Sequence, residues 1–215
     1  MKNSTALTRF IQNRTLRLGL LVALTALGLE ACAPMLVGGF VGGTMVVSDR
    51  RSSGTQLEDE AIELKATSRI KDNLGDKAHA NVSSYNRLAL ITGEVSNARD
   101  KEYVTQIVSQ VDNVKSVLNE LQVAPLNGMT ERSKNILLST RVKANFVDTK
   151  DLSANAFKIV AEGGTVYLMG RVTKREADIA VEVARNTSGV QKVIKVFEIL
   201  TDDELRALLP PPAKK

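Results

Sequence analysis

"LALITGEVSNARDKEYV" at residues 88–104 and "TVYLMGRVTKREADIAV" at residues 165–181 carry one pattern twice. Gly93 matches Gly170, Val95 matches Val172 and Ser96 matches Thr173, at an offset of 77. Each stretch opens with the alternating apolar pattern of a half-buried strand and continues with a helical pattern. Ser96 and Thr173 read as helix N-caps, and Glu176 completes a Ser/Thr-x-x-Glu capping box in the second stretch.

The matching extends in both directions. "TSRIKDNLGD" (67–76) parallels "STRVKANFVD" (139–148) at offset 72, and "VKSVLNELQV" (114–123) parallels "VQKVIKVFEI" (190–199) at offset 76. The offset changes only between blocks, where loops belong, so the chain is a duplication of one unit. Each copy reads as a helix (59–74; 131–146), a strand (80–85; 155–161), a second strand (87–95; 165–172), a helix (98–111; 174–187) and a last strand (114–123; 190–199). "EGG" at 162–164 signals a hairpin, and Gly189 and Asp112–Asn113 end the later helices. A right-handed crossover makes the last two strands of each copy parallel. The expected class is α+β: two tandem αββαβ domains, each with two helices packed on a three-stranded mixed sheet. Leu88 and Leu90 in the first copy, and Val166 and Leu168 in the second, are assigned to one alternating strand face. Gly93 and Gly170 mark places of close backbone approach.

The chain begins with a polar, basic segment and then "LGLLVALTALGL" at 18–29. As a helix that run spans only about 18 Å, too short for a ~30 Å hydrocarbon core. A basic start, a short apolar run and a small residue form the secretory-signal pattern. The only cysteine, Cys32, follows at once, and Leu29–Glu30–Ala31–Cys32 resembles a bacterial lipobox, with Glu30 at an unusual place for a charge. That resemblance implies cleavage before Cys32, a thioether-linked diacylglycerol on its sulfur and an acyl (palmitate-type) chain on the new amine. Two or three chains anchor persistently where one does not. A plain signal peptide cut elsewhere is the alternative. Ala33 beside the cysteine is the residue type that, by resemblance to the enterobacterial sorting rule, implies the outer membrane. "MLVGGFVGGTMVV" (35–47) is again too short to span, and reads as a tether or, through its GxxxG spacings, as a helix-packing segment. "SDRRSSGTQ" reads as a polar linker.

Composition removes several function classes. Aromatic content is 4% with no Trp, so the cores are built of Val, Leu, Ile and Ala. Of the net charge of +5, residues 1–31 hold +3, from Lys2, Arg9, Arg14 and Arg17 against Glu30. The remaining +2, with no interleaved basic and aromatic run, does not indicate nucleic acid. One cysteine rules out cysteine-cluster metal sites, and the single histidine, His79, reads as a surface residue. There is no GxSxG, P-loop or HExxH motif. The carboxylate clusters Glu58–Asp59–Glu60 and Asp202–Asp203–Glu204 are both read at helix starts, where acids suit the dipole. No catalytic residue, metal or cofactor is expected.

The "L-x-G-x-V" strand, the capped helix and the "V-x-x-V-x-x-x-x-x-V" strand resemble the BON domain. Two such units behind a lipobox, with "VYLMGRVTKREAD" in the second and "SDRRSSGTQLEDE" before the first, resemble the dual-BON-domain outer-membrane lipoproteins of the DolP type. The resemblance sets the expected organisation. Residues 1–31 are a signal peptide and 32–57 a lipidated tether and linker. Residues 58–125 and 126–200 are the BON domains, and 201–215 a short helix with a disordered Pro-rich tail. It implies a non-enzymatic protein, lipid-anchored in the outer membrane of a Gram-negative bacterium and facing the periplasm. Its partner would be anionic phospholipid, bound by the second domain in support of envelope integrity. A periplasmic adaptor for envelope assembly or remodelling proteins is the alternative, since edge strands are available for pairing.

In this family the first helix of the second domain faces lipid. Here Leu138, Val142 and either Asn145 or Phe146 form its core stripe. The phospholipid-binding candidates are Ser133, Leu137, Arg141 and Ala144 on the adjoining face, flanked by Thr130, Lys134 and Thr140; Arg132 points further round. The expectation is one exposed leucine between two cations, suited to anionic headgroups. A solvated face with ordinary surface charge is the other reading. The family carries Trp where Leu137 stands.

Overall fold

The computed structural model describes residues 49–126 and 128–208. Cys32, the apolar runs before residue 48 and the tail from residue 209 lie outside the described residues. The element order is α1 (Ser53–Leu74), β1 (Ala78–Tyr85), β2 (Leu88–Val95), α2 (Ala98–Ser109), β3 (Ser116–Asn119) and β4 (Gln122–Val123). The second copy follows as α3 (Met129–Asp148), β5 (Phe157–Glu162), β6 (Thr165–Thr173), α4 (Lys174–Arg185) and β7 (Lys192–Leu200), and α5 (Asp202–Leu208) closes the chain. In each copy an antiparallel hairpin is extended by a parallel strand, giving the orders β1-β2-β3 and β5-β6-β7. The αββαβ duplication and the mixed sheets are as the sequence predicts.

The first copy's last strand is interrupted. β3 and β4 both pair parallel with β2, and between them the Glu120 amide donates to the Ile91 carbonyl while the Leu121 amide turns to Asn119 Oδ1 at 3.0 Å. That turn sends Leu121 into the core. β7 runs unbroken for nine residues.

Each helix pair buries one sheet face. Ile62, Ala66 and Ile70 of α1 and Val104 and Val108 of α2 pack on Ala89, Ile91 and Val95. In the second copy Leu138, Val142 and Phe146 of α3 pack with Ala177, Ala180 and Ala184 of α4 on Val166, Leu168 and Val172. The helix-facing strand residues of the first copy are therefore Ala89 and Ile91, not Leu88 and Leu90. The repeat offset of 77 sets Leu90 opposite Tyr167, and a one-residue slip moves a side chain to the other face. The other faces are also apolar and meet each other. Tyr85, Leu90, Tyr167 and Met169 form a third buried cluster, with Leu118, Val160 and Ile194 against it. Over the described residues of the two copies the layers are thus helices, sheet, sheet, helices.

Both glycines of the shared motif are places of close approach. A Cβ on Gly93, at φ +115°, would lie 2.0 Å from the His79 carbonyl oxygen, and one on Gly170 would lie 2.6 Å from that of Ala156. Each faces neighbouring backbone that leaves no room for a side chain.

Local capping differs between the copies. Thr173 caps α4 with the full Glu176 box. In the first copy the cap is Asn97, whose side chain accepts from the Asp100 amide at 2.9 Å. Ser96, the expected cap, instead donates to the Lys77 carbonyl.

The segment read as a polar linker is already built in. Ser52 caps α1, whose first residue, Ser53, lies six residues before the predicted start, by accepting from the Thr55 amide. Glu58–Asp59–Glu60 therefore sits inside a helix, not at its start. Asp59 is buried and accepts from Ser84 Oγ (2.6 Å), the Asn86 amide (2.8 Å), the Arg87 amide (2.8 Å) and Arg51 Nη1 (2.6 Å). Burial pushes its carboxyl up, but the Ser84 hydroxyl, the Arg87 amide, Arg51 and the Asn86 amide outweigh that and hold it below the ordinary range. Its purpose is local. A two-residue hairpin loop of this kind needs φ > 0 at both central residues. Asn86 (50°) and Arg87 (67°) supply it without glycine, whereas the equivalent loop uses Gly163 and Gly164.

Candidate functional site

Helix α3 is set by its core stripe. Phe146 takes the last core position and meets Phe157 edge-on at 5.1 Å, while Asn145 donates to Thr187 Oγ1 at 2.8 Å. With Leu138, Val142 and Phe146 inward, Thr130, Ser133, Lys134, Leu137, Thr140, Arg141 and Ala144 are all exposed. Lys134, Leu137 and Arg141 come together around a shallow depression of about 470 Å³, bordered by Gly164 and Gly189. Thr130, Ser133, Thr140 and Ala144 lie outside it. Ser133 and Thr140 donate back to the Met129 and Ile136 carbonyls.

Two features differ from the expectation. The cations are engaged: Lys134 Nζ pairs with Glu131 at 2.7 Å, and Arg141 Nη1 donates to the Ser188 carbonyl at 2.6 Å. And the helix exposes more than one large apolar side chain. Leu137 is 63% exposed, Ile136 66% and Met129 81%, with Val147 further along. Met129 and Ile136 lie off the face that Leu137 defines, but the repeat carries a signal for them. At the repeat offset of 72, Met129 and Ile136 match Leu57 and Leu64, and this pair is exposed on α1 as well.

His79 is not a surface residue; it is half-buried, with Nδ1 3.2 Å from Glu94 Oε2. Among the described residues no group of three or more His, Cys, Asp or Glu is placed to hold a metal ion. Asp202–Asp203–Glu204 does open α5, where Glu204 closes a capping box with Thr201. Its carboxyl is held low by the Thr201 amide and hydroxyl, which is helix capping rather than proton transfer.

The fold is a duplicated αββαβ unit whose second copy presents an apolar, basic-flanked helix. The BON domain family matches residues 58–125 and 137–201. The chain is 37% identical over 175 residues to the Outer membrane lipoprotein DolP of Haemophilus influenzae (strain ATCC 51907 / DSM 11121 / KW20 / Rd), covering 80% of this chain and 90% of that protein; it belongs to the dual-BON-domain outer-membrane lipoproteins. It is also 31% identical over 151 residues to a 21 kDa hemolysin of Actinobacillus pleuropneumoniae, covering 69% of this chain and 78% of that one. As a member of that family it is lipid-anchored at the outer membrane and faces the periplasm.

Proposed function

We propose that the protein binds anionic phospholipid through α3 of its second BON domain, is held at the membrane by acylation of Cys32, and so supports envelope integrity. The carrying observation is the row Met129, Ile136 and Leu137, exposed on one helix beside Lys134 and Arg141. Exposed apolar side chains that cluster, rather than stand singly, mark a surface that is used. An apolar ridge flanked by cations suits the boundary between headgroups and acyl chains. Tethering raises the effective concentration, so each contact need only be weak. Flotation with protein-free vesicles tests this. Binding is expected with phosphatidylglycerol and weakened by Leu137→Glu; equal binding to neutral vesicles by both proteins overturns it.

The adaptor reading has one observation in its favour. β7 is a nine-residue edge strand without the interruption that blunts β3 and β4, so it is open to strand addition. Capture of an envelope protein that persists without lipid would favour it.

A further inference from the structure

The cations of α3 differ in what already holds them. Glu131 takes Lys134, the Ser188 carbonyl takes Arg141, and the Ala154 carbonyl takes Lys143 at 2.5 Å. Among the described residues, Arg132 has no side-chain hydrogen bond or ion pair. Arg132 lines a cleft of about 400 Å³ between the two domains. Arg132, Ile136 and Ser139 border it from α3, and His79, Asn81 and Ser83 border it from β1 of the first domain.

The lining has the chemistry of a phosphodiester with an apolar neighbour. A guanidinium fork matches phosphate oxygens two at a time. Ile136, one turn from Arg132, is apolar and exposed. Ser83 brings a hydroxyl from the other domain. The acid in the wall, Glu162, is already engaged by Nδ2 of Asn135 at 2.5 Å and of Asn81 at 3.4 Å. Burial and nearby Glu94 raise its pKa.

We propose that this interdomain cleft seats the phosphate of an anionic phospholipid headgroup, with Arg132 as the residue that grips it. The inference rests on the reading that α3 meets anionic lipid. It adds the place where the headgroup sits, and it gives the first domain a part in the site.

The test uses the full chain carrying Cys32→Ala, so that acyl anchoring does not dominate. Flotation compares vesicles containing phosphatidylglycerol with vesicles of phosphatidylcholine alone. Arg132→Gln is expected to lower the anionic-over-neutral preference about fivefold, the effect of one cation near an anionic surface. Ser83→Leu, which fills the cleft from the first domain, lowers it as well, with unchanged circular dichroism in both variants. Preference kept in Arg132→Gln and lost in Leu137→Glu overturns the cleft and leaves the helix reading intact. No preference in the parent chain overturns both. Loss of vesicle binding to millimolar inorganic phosphate at constant ionic strength assigns the cleft to free phosphate and overturns the lipid assignment.

Discussion

Arg50 forks onto Glu176: Nη1 meets Oε2 at 2.8 Å and Nη2 meets Oε1 at 2.5 Å, while Nη1 also donates to the Arg171 carbonyl. The pair joins a residue three positions before α1 to the capping box of α4, so the segment entering the first domain is fastened to the second. Next to it, Arg51 is held by Asp49 and Asp59 and lies over the Tyr85 ring at 4.2 Å. The side chains of Arg50 and Glu176 are 4% and 12% exposed. Removing one partner of such a pair leaves a buried charge alone, so Arg50→Ala is expected to cost about 3 kcal/mol. Denaturant melts of the two proteins check this; a difference within about 0.5 kcal/mol shows that the strap contributes nothing.

Asp59 should be the most sensitive acid for folding. Asp59→Asn puts an amide N–H₂ among four donors, and the loss is expected at about 2–4 kcal/mol. Arg87→Gly in that background should recover about 1 kcal/mol, because φ +67° costs glycine nothing. If Arg87→Gly destabilises the variant further, turn strain is not what Asp59 supports.

Acid and base limbs of stability come from different carboxylates. Burial raises Glu176, but the Arg50 fork and the Thr173 amide hold it below the ordinary range, as the donors around Asp59 hold that group. For these two the unfolded chain binds protons more readily. Their stabilisation is present above the unfolded pKa near 4 and lost as pH falls through the lower folded values. Glu162 runs the other way. Raised by burial and by Glu94, it stabilises the fold below its unfolded pKa and loses that contribution as pH rises through the folded one. Denaturant midpoints should therefore decline gently with rising pH above about 4.5, and Glu162→Gln should remove that decline while leaving the acid limb. An unchanged slope in the variant excludes Glu162 as its source.

The capped α4, the glycine contacts and the αββαβ order were legible because each rests on local patterns: a box three residues apart, a hairpin glycine pair, a helical stripe. The strand faces were not. Leu90 and Leu168 are both buried and apolar, and periodicity cannot say which of two apolar faces meets helices and which meets another sheet. Nor does local sequence reveal that Arg50 pairs with Glu176 at 126 residues' separation, or that Arg132 is the cation of α3 left unengaged among the described residues. Leu137 and its basic neighbours were found because they share a helix face. Their engagement by Glu131 and Ser188 needed the folded loops.

The sheet-to-sheet cluster predicts how the domains unfold. Leu90 is fully buried against Tyr167 and Met169 and contributes nothing to the helix-side core. Leu90→Glu buries a charge there and should part the sheets while leaving each helix layer intact. Calorimetry should show one transition for the parent chain and two for the variant. A single transition in the variant means the domains fold together for another reason.

The tether is settled by mass. Cys32 has no second cysteine to pair with, and a thiol placed after a short apolar run suits a lipid attachment point. One acyl chain binds membranes only marginally, and two or three hold persistently. The headgroup contact proposed for α3 is weak by itself, and a tether strengthens it by presenting the helix at high effective concentration. Intact mass of membrane-extracted protein is expected to equal residues 32–215 plus three acyl groups, and Cys32→Ala should lose them and leave the membrane fraction. An unacylated mature chain would remove the tether, and α3 would then have to bind vesicles unaided or the adaptor reading would take its place.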